Sequence, residues 1–246
     1  MRNLLVTIAY DGTDYHGWQV QPNGITVQQA VQDAVEKIIQ KRENIVGCSR
    51  TDSGVHANSF CFNMRTESSI DPYRFVGAMN AVLPDDIAVK DCVEVPLDFH
   101  ARYDCKGKEY VYKIWNSPQR NPFLLDRYLH YKKPLDVDLL NKAAQSFVGK
   151  HDFSAFCASR ASVDDFVRTV EYAKVTRDEE EVRFTVKADG FLYNMVRIMV
   201  GTLLEVSEGK ISADSIGEII ASLDREKAGR TAPAHGLYLN KVFYQG

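Results

Sequence analysis

Asp52 and Arg50 are the residues of this sequence whose types and spacing best suit chemistry. Both stand in the segment 47–57, which reads GCSRTDSGVHA. Side chains two residues apart in an extended chain point to the same face. Arg50 would then lie beside Asp52 and hold its carboxylate ionised and oriented, so that the carboxylate can act as a nucleophile. The spacing also fits an Asx turn at Asp52 with an incidental surface arginine.

The elements around this segment predict where Asp52 lies. A short strand is predicted near 44–48 and another at 57–64, so the aspartate stands on an irregular connection between two strands. Gly47 and Gly54 allow backbone conformations that other residues avoid. Loops that are held by rigid strands often carry catalytic groups. The local pattern therefore indicates a candidate reactive carboxylate.

The first hundred residues predict the element order β-α-β-β-α-β. Thr26 opens the first helix with a capping-box pattern, and Asp71 and Pro72 open the second as N-cap and first helical residue. This order is that of a ferredoxin-like split βαβ unit. Apolar periodicity and β-forming residues predict strands at 3–10, 44–48, 57–64 and 87–95, and helices at 27–40 and 72–82.

The rest of the chain repeats the theme with longer insertions. We expect an α+β fold of two related ferredoxin-like (RRM-like) units, with mainly antiparallel or mixed sheets joined around a central active-site cleft. The predicted domains are 1–103, which carries Asp52, and 104–246, which completes the cleft. The pattern predicts strands at 108–115, 168–176, 181–188 and 237–244, helices at 136–148, 191–206 and 212–223, and a long loop at 149–166.

Composition indicates an ordinary globular enzyme, with 45% hydrophobic and 26% charged residues among 246. No stretch approaches the roughly 20 apolar residues of a membrane-spanning helix, and the first residues lack a signal-peptide pattern, so we expect a cytoplasmic protein. The five cysteines are odd in number and form no C-x-x-C pair, which disfavours a disulfide framework and a thiolate zinc site. The six histidines show no ligand spacing. No metal or cofactor is expected.

The net charge of −3 by itself counts against nucleic-acid binding. Phosphate contacts respond to local potential, however, and not to the sum of charges. Four acidic residues at 178–181 have the pattern of a solvated hairpin tip. The basic residues expected near the cleft are Arg50, Arg102, Lys106, Lys108, Arg160, Arg168, Arg197 and Arg230.

The segment around Asp52 resembles the G-x-x-R-T-D-x-G-V-H-A signature of the TruA family of tRNA pseudouridine synthases. Further blocks in family order cover essentially the whole chain. They are YDGTDYHGWQ at 10–19, FHAR at 99–102, KEYVY at 108–112, HDFSAF at 151–156, FLYNMVR at 191–197 and APAHGLYL at 232–239. Ser49 and Ser53 depart from the commoner glycine and alanine, and neither side chain is expected to do chemistry.

The resemblance implies a role for each matching residue. Asp52 matches the essential aspartate, and Tyr110 matches the tyrosine that stacks on the target uracil and helps at a later proton transfer. Arg50 matches an arginine close to the flipped nucleotide, and Arg197 one that pairs with the carboxylate. Leu237 falls near the apolar wall of the pocket. Whether Asp52 attacks the base, attacks the sugar or removes a proton stays open.

The resemblance also implies the activity and the partners. The expected reaction is isomerisation of uridine to pseudouridine at positions 38, 39 and 40 of the tRNA anticodon stem-loop, catalysed by a homodimer. The reaction exchanges a C–N for a C–C glycosidic bond, and it needs base flipping but neither redox chemistry nor hydrolysis. A non-catalytic RNA-binding module is the main alternative, because paired α/β units also bind RNA. A metal-assisted nuclease is a third interpretation, which the lack of a ligand cluster disfavours.

Overall fold

The computed structural model describes residues 1–158 and 164–244. The contacts between residues divide the chain into two compact units. Unit 1 comprises Met1–Lys106 and Tyr238–Gly246, and unit 2 comprises Gly107–Leu237. Arg160, one of the basic residues expected near the cleft, lies outside the described residues. The division into domains 1–103 and 104–246, each folding by itself, stays a prediction.

The first part of the chain has the element order that the sequence predicts, β-α-β-β-α-β. The strand at 57–64 is longer than predicted, and the second helix ends at Asn80, two residues earlier than predicted. The elements are β1 (Arg2–Tyr10), α1 (Val27–Ile39), β2 (Ile45–Gly47), β3 (His56–Thr66), α2 (Pro72–Asn80) and β4 (Ile87–Val95).

The second part contains six strands and three α-helices among the described residues. The predicted loop at 149–166 is wrong at its start, because residues 149–152 form a short strand. The elements are β5 (Gly107–Asn116), β6 (Leu129–Tyr131), α3 (Val137–Ala144), β7 (Gly149–Asp152), β8 (Val167–Asp178), β9 (Glu181–Ala188), α4 (Met195–Ser207), α5 (Ile216–Ser222) and β10 (Leu237–Phe243).

The sheet of unit 1 is built around the long strand β3. Strand β1 lies antiparallel to β3 on one side and to β4 on the other. On its other side, β3 pairs with two strands. The C-terminal end of β3 is antiparallel to β2, and Met64 lies opposite Ile45. The start of β3 is parallel to β10, and His56 lies opposite Tyr238. The order β4-β1-β3-β2 is the ferredoxin-like order that the sequence predicts.

Helices α1 and α2 begin at the predicted caps. The Thr26 side chain accepts a hydrogen bond from Gln29 N, and the Asp71 side chain accepts from two backbone N–H groups at the start of α2. These caps satisfy donors that have no partner inside the helix. Apolar side chains of the two helices and alternate residues of β1 form one core. One face of the strand is therefore fully buried. The core residues include Leu4, Val6, Ile8, Val27, Val31, Phe75 and Met79.

Within unit 2, four strands pair in the order β5-β9-β8-β7, and all three neighbouring pairs are antiparallel. The β5-β9-β8 order matches the β1-β3-β2 order of unit 1, which agrees with two related units. Residues 178–181 form the tip of the β8–β9 hairpin, and the first three of them are exposed, as predicted. Helix α4 is buried on nearly all sides, because its sequence is apolar all round. The α+β fold with a mainly antiparallel sheet is confirmed.

Candidate active site

Asp52 lies between β2 and β3, on a connection of residues 48–55 that we term the Asp52 loop. Its side chain is half-buried, whereas Arg50 is exposed. Arg50 forms no ion pair with any carboxylate in the described part of the chain. The expected support of Asp52 by the Arg50 guanidinium therefore stays a prediction.

Backbone hydrogen bonds tie the Asp52 loop to the loop that joins β1 to α1. Trp18 N–H donates to the Thr51 carbonyl at 3.2 Å, and Gly54 N–H donates to the Tyr15 carbonyl at 3.3 Å. Val55 N–H closes a turn onto the Asp52 carbonyl at 3.2 Å. The chain is thus fixed immediately before and immediately after the aspartate, which is what a precisely placed reactive group requires.

Two tyrosines anchor this arrangement through their hydroxyls. Tyr10 O–H lies 2.9 Å from Thr51 Oγ1 in a buried hydrogen bond. Tyr15 O–H donates to Asp86 Oδ1 at 2.6 Å. Burial, followed by the hydrogen bond to the Asp86 carboxylate and its negative charge, raises the pKa of Tyr15 well above its usual value, so the hydroxyl keeps its proton and stays a donor.

Two glycines allow the backbones of the two loops to approach closely. A Cβ at Gly12 would lie 2.0 Å from the Val55 carbonyl oxygen, and a Cβ at Gly17 would lie 2.4 Å from the Thr51 carbonyl oxygen. Gly17 also has a φ of +80°, in the left-handed region that favours glycine. No other residue type fits either place without moving the Asp52 loop.

His56 follows the Asp52 loop and is buried. Its Nδ1 accepts the Gly12 N–H at 2.9 Å and also lies 3.0 Å from Asp11 Oδ1. One nitrogen cannot accept from Gly12 and donate to Asp11 at once, and we favour the acceptor role because the position of the Gly12 hydrogen is fixed by the backbone. The ring stacks on Tyr238 with centroids 4.6 Å apart. His56 thus joins the loop to β10.

Tyr110 lies on β5 in unit 2 and is buried. Its ring meets Phe191 edge to face, with centroids 5.1 Å apart and planes at 83°. Such pairs contribute about 0.5–1.5 kcal/mol beyond the area that they bury. Phe191 therefore fixes the plane in which the Tyr110 ring lies.

Arg197 lies in the first turn of α4, and its guanidinium is held from two directions. Nε donates to the Ala232 carbonyl at 2.7 Å, and Nη1 donates to Asn194 Oδ1 at 2.8 Å. Asn194, the N-cap of α4, has a left-handed φ of 60°, which asparagine tolerates better than most residues. The Arg197 carbonyl also accepts the Ala232 N–H at 3.0 Å. The helix thus positions the segment around Ala232 and the arginine together.

Leu237 is buried at the start of β10. Tyr112 O–H fixes the segment before it by donating to the Pro233 carbonyl at 2.8 Å. Burial raises the pKa of Tyr112, only partly opposed by the positive charge of Arg197. Burial also lowers the pKa of the half-buried His235, which favours a neutral imidazole.

The described residues offer no cluster of three or more His, Cys, Asp or Glu side chains with the geometry of a metal site. The same residues include no helix of the length and apolarity that crossing a membrane would take. Unit 1 carries a carboxylate on a fixed loop, and unit 2 carries an aromatic ring and a held guanidinium.

A family model described as tRNA pseudouridine synthase matches residues 6–104 and 143–245. This match covers both units and includes the Asp52 loop and the segments of Arg197 and Leu237. The chain belongs to the tRNA pseudouridine synthase family. The resemblance found in the sequence blocks is thereby confirmed.

Relatives of this pseudouridine synthase family member match over nearly the whole chain. The tRNA pseudouridine synthase A of Acetivibrio thermocellus is 49% identical over 244 residues, which cover 99% of this chain and 100% of the relative. The protein of the same name from Clostridium acetobutylicum is 46% identical over 244 residues, with the same coverage. A tRNA pseudouridine synthase A 2 from Clostridium perfringens is 47% identical over 245 residues, again with that coverage.

Among solved structures, one chain of the crystal structure of a Cbf5-Nop10-Gar1 complex is similar to this family member with a TM-score of 0.42 and 14% identity. The match covers 96% of this chain and 48% of that chain. A similarity of that size supports no argument about the site. The assignment to the family rests on the family model and on the full-length relatives.

The structure of this pseudouridine synthase family member distributes the predicted site residues between the two units. Arg50 and Asp52 stand together on the Asp52 loop in unit 1. Tyr110, Arg197 and Leu237 belong to unit 2, where Arg197 and the segment before Leu237 are tied to each other through the Ala232 backbone. The assembly of all five residues into one site stays a prediction.

The sequence does not single out the residues that hold Asp52, Tyr110 and Arg197 in place. Tyr10 and Tyr15 stand out only as parts of one matching block, and Phe191 and Asn194 only as parts of another. A residue that acts through a hydrogen bond from a distant loop carries no spacing signal of its own. Only the unusual density of Tyr, Gly and Trp at 10–18 could have marked that loop as a support.

Each of these groups has a chemistry of its own to offer. Loops fixed on both sides of a reactive group cost little reorganisation at the moment of reaction. The held guanidinium of Arg197 offers charge-assisted hydrogen bonds to an anionic partner. An aromatic ring of fixed orientation such as Tyr110 offers a stacking surface for a base.

Proposed function

We propose that this protein is an isomerase that converts uridine to pseudouridine at positions 38, 39 and 40 of the tRNA anticodon stem-loop. The observation that carries the proposal is the match of the whole chain to relatives named tRNA pseudouridine synthase A, at 45–49% identity. The fixed Asp52 loop supports it, because the reaction needs a placed carboxylate.

Asp52 initiates the reaction in this proposal. The C–N bond between uracil N1 and the ribose breaks, the base turns, and a C–C bond forms from uracil C5 to the same ribose carbon. The C5 proton is lost and N1 gains a proton, so no redox partner is needed. Three routes for Asp52 remain part of the proposal: attack on the base, attack on the sugar carbon, and removal of a sugar proton.

The uracil must leave its stack to reach the carboxylate. We propose that it stacks on Tyr110, which offsets lost base stacking by about 1–3 kcal/mol. Arg197 then pairs with the Asp52 carboxylate, Arg50 contacts the flipped nucleotide, and Leu237 forms part of the apolar wall. The hydrogen bonds of Arg197 to Ala232 and Asn194 support this role, because they leave the guanidinium little freedom.

We also propose that the protein works in the cytoplasm as a homodimer. The five cysteines support the first part, because all of them are free thiols and disulfides are rare in reducing compartments. The family resemblance supports the second part. Sedimentation equilibrium tests the dimer directly, and a single species at the 27.8 kDa of one chain would contradict it.

Release of tritium from tRNA labelled at uracil C5 tests the function. Three tRNA transcripts would each keep a single labelled uridine, at position 38, 39 or 40, and a fourth would keep its label only outside the anticodon stem-loop. We expect release from the first three and none from the fourth. Tight binding without any release would point to a non-catalytic RNA-binding module, and release from the fourth transcript would overturn the proposed positions.

A further inference from the structure

A surface groove of about 260 Å³ runs along the chain segment that leads to the Asp52 loop. Gly47 belongs to that segment, and Trp18 lines the groove from the loop between β1 and α1. The turn that follows β4 lines the groove as well. The side chains that matter for its chemistry are Arg50, His100, Arg102 and Tyr103.

The groove has two guanidinium groups and no carboxylate among the described residues that line it. Neither Arg50 nor Arg102 forms an ion pair elsewhere in the described part of the chain. Two unneutralised arginines in one groove give a local positive potential in spite of the negative net charge. Such a groove suits an anionic ligand, and arginine matches phosphate with paired hydrogen bonds.

Tyr103 gives the groove an aromatic platform. The residue is 74% exposed, although large aromatic residues are on average well buried. The His100 ring lies beside it with centroids 4.3 Å apart, and the Arg102 guanidinium lies 5.9 Å from the ring centre. An exposed ring next to a guanidinium is the combination that binds unpaired nucleotides, with the base on the ring and the phosphate on the cation.

The turn that carries these side chains is held firmly. His100 N–H donates to Asp104 Oδ2 at 2.7 Å, and Ala101 N–H donates to the buried Asn63 side chain at 2.8 Å. His100 Nδ1 accepts the backbone N–H groups of Arg102 and Tyr103 at 3.2 and 3.3 Å. The platform is therefore ordered before any ligand arrives, which lowers the entropic cost of binding.

We propose that this groove binds one unpaired nucleotide of the tRNA that neighbours the uridine at Asp52. The base stacks on Tyr103 and the phosphate contacts Arg102, while Arg50 lies between this nucleotide and the reacting one. A volume of 260 Å³ falls just below the roughly 300–1,000 Å³ of sites for drug-sized ligands, so it suits a single nucleotide. The inference rests on the proposed function, since it names a second contact for the same substrate.

Kinetics of three groove variants test the proposal: Tyr103→Ala, Tyr103→Phe and Arg102→Gln. Loss of one stacked base or one phosphate contact weakens binding by roughly tenfold. We therefore expect Tyr103→Ala and Arg102→Gln each to raise KM for tRNA by about tenfold with kcat unchanged, and Tyr103→Phe to behave as wild type. A merely structural role would instead lower the melting temperature.

Tyr73 and Arg74 provide matched controls, because both are exposed residues of unit 1 outside the groove. Tyr73→Ala and Arg74→Gln should leave KM unchanged. The Kd for tRNA is measured directly beside the kinetics. Binding by the groove can then be tested even if no tritium is released. Groove variants that match their controls in KM and Kd would overturn the subsite and leave the proposed function standing. Absence of release by wild type, with Kd weakened only in groove variants, would overturn the function and leave the subsite standing.

Discussion

Replacing Gly17 by alanine places a methyl group against the backbone that carries Asp52. The new Cβ would lie 2.4 Å from the Thr51 carbonyl oxygen and 3.1 Å from the Asp52 carbonyl carbon. Ordinary van der Waals contact begins near 3.4 Å, so the loop would have to retreat by about 1 Å (3.4 − 2.4). The φ of +80° at Gly17 adds backbone strain for any residue with a Cβ.

These two effects set the expected size of the change. A left-handed backbone costs an L-residue about 1–2 kcal/mol, and an extra methyl group in a packed place costs about 1–3 kcal/mol. Together they lower the free energy of unfolding by about 2–5 kcal/mol. For a chain of this length, each kcal/mol lowers the melting temperature by roughly 2–4 °C. A 1 Å displacement of a reacting group also costs up to about a hundredfold in rate, so kcat should fall by about ten- to a hundredfold.

Gly77→Ala is the matched control, because a Cβ at this position in α2 would meet no atom within 4 Å. Alanine in a helix is more stable than glycine by about 0.5–1 kcal/mol. Thermal denaturation followed by circular dichroism, with kcat from tritium release, measures both variants. We expect Gly77→Ala to melt slightly higher with unchanged kcat. A Gly17→Ala variant with the melting temperature and kcat of wild type would refute the reasoning about the two loops.

Three further changes test other parts of the account. Tyr110→Phe keeps the stacking surface but removes the hydroxyl. The kcat of tritium release should therefore fall while the Kd for tRNA stays the same. An unchanged kcat would exclude a proton-transfer role for the hydroxyl. Arg197→Lys loses a guanidinium that donates two hydrogen bonds, which should lower the free energy of unfolding by about 1–3 kcal/mol and lower kcat; wild-type urea unfolding would contradict this. Hydrogen bonds from Lys210, then Arg230, hold the pKa of Glu208 at about 2, below its usual 4.5. The pairing of Glu208 therefore stabilises the folded state above pH 4.5, and this stabilisation is lost as the pH falls towards 2. The melting temperatures of wild type and Glu208→Gln should converge over that interval and differ above it. A constant difference would count against the pairing.

Strong local signals explain why most of unit 1 could be predicted from the sequence. Thr26 and Asp71 have side chains that accept the first helical N–H groups, and both occupy the predicted caps. The apolar alternation of β1 needs one buried face, and the structure buries it. Signals of this kind lie within a few residues of the element that they define.

Other features depend on contacts between residues that are distant in the chain. Nothing in the sequence indicates that β10 pairs with the start of β3, because a single parallel pairing leaves no periodic trace. The apolar pattern predicts that α4 starts at 191, but the helix begins at Met195. Asn194 has a left-handed backbone, which interrupts a helix although the apolar pattern runs through it. The strand at 149–152 is short and has few β-forming residues, and its pairing with β8 decides its conformation.

The candidate site likewise combines residues that local sequence patterns predict with residues whose contacts lie far apart in the chain. Asp52 could be singled out because its segment carries a family signature, and its position between two strands follows from short-range patterns. The hydroxyl of Tyr10 on Thr51 and that of Tyr15 on Asp86 could not be predicted, because they join residues 41 and 71 positions apart. Such supports become visible only in three dimensions.

Single-turnover formation of pseudouridine by Asp52→Asn tests the proposed role of Asp52 most directly. Asp14→Asn makes the same chemical change at an exposed aspartate of the same unit and serves as the control. We predict that Asp52→Asn binds tRNA with the Kd of wild type and forms no pseudouridine, while Asp14→Asn reacts at the wild-type rate. Pseudouridine formed by Asp52→Asn at the wild-type rate would contradict the assignment of the reactive carboxylate.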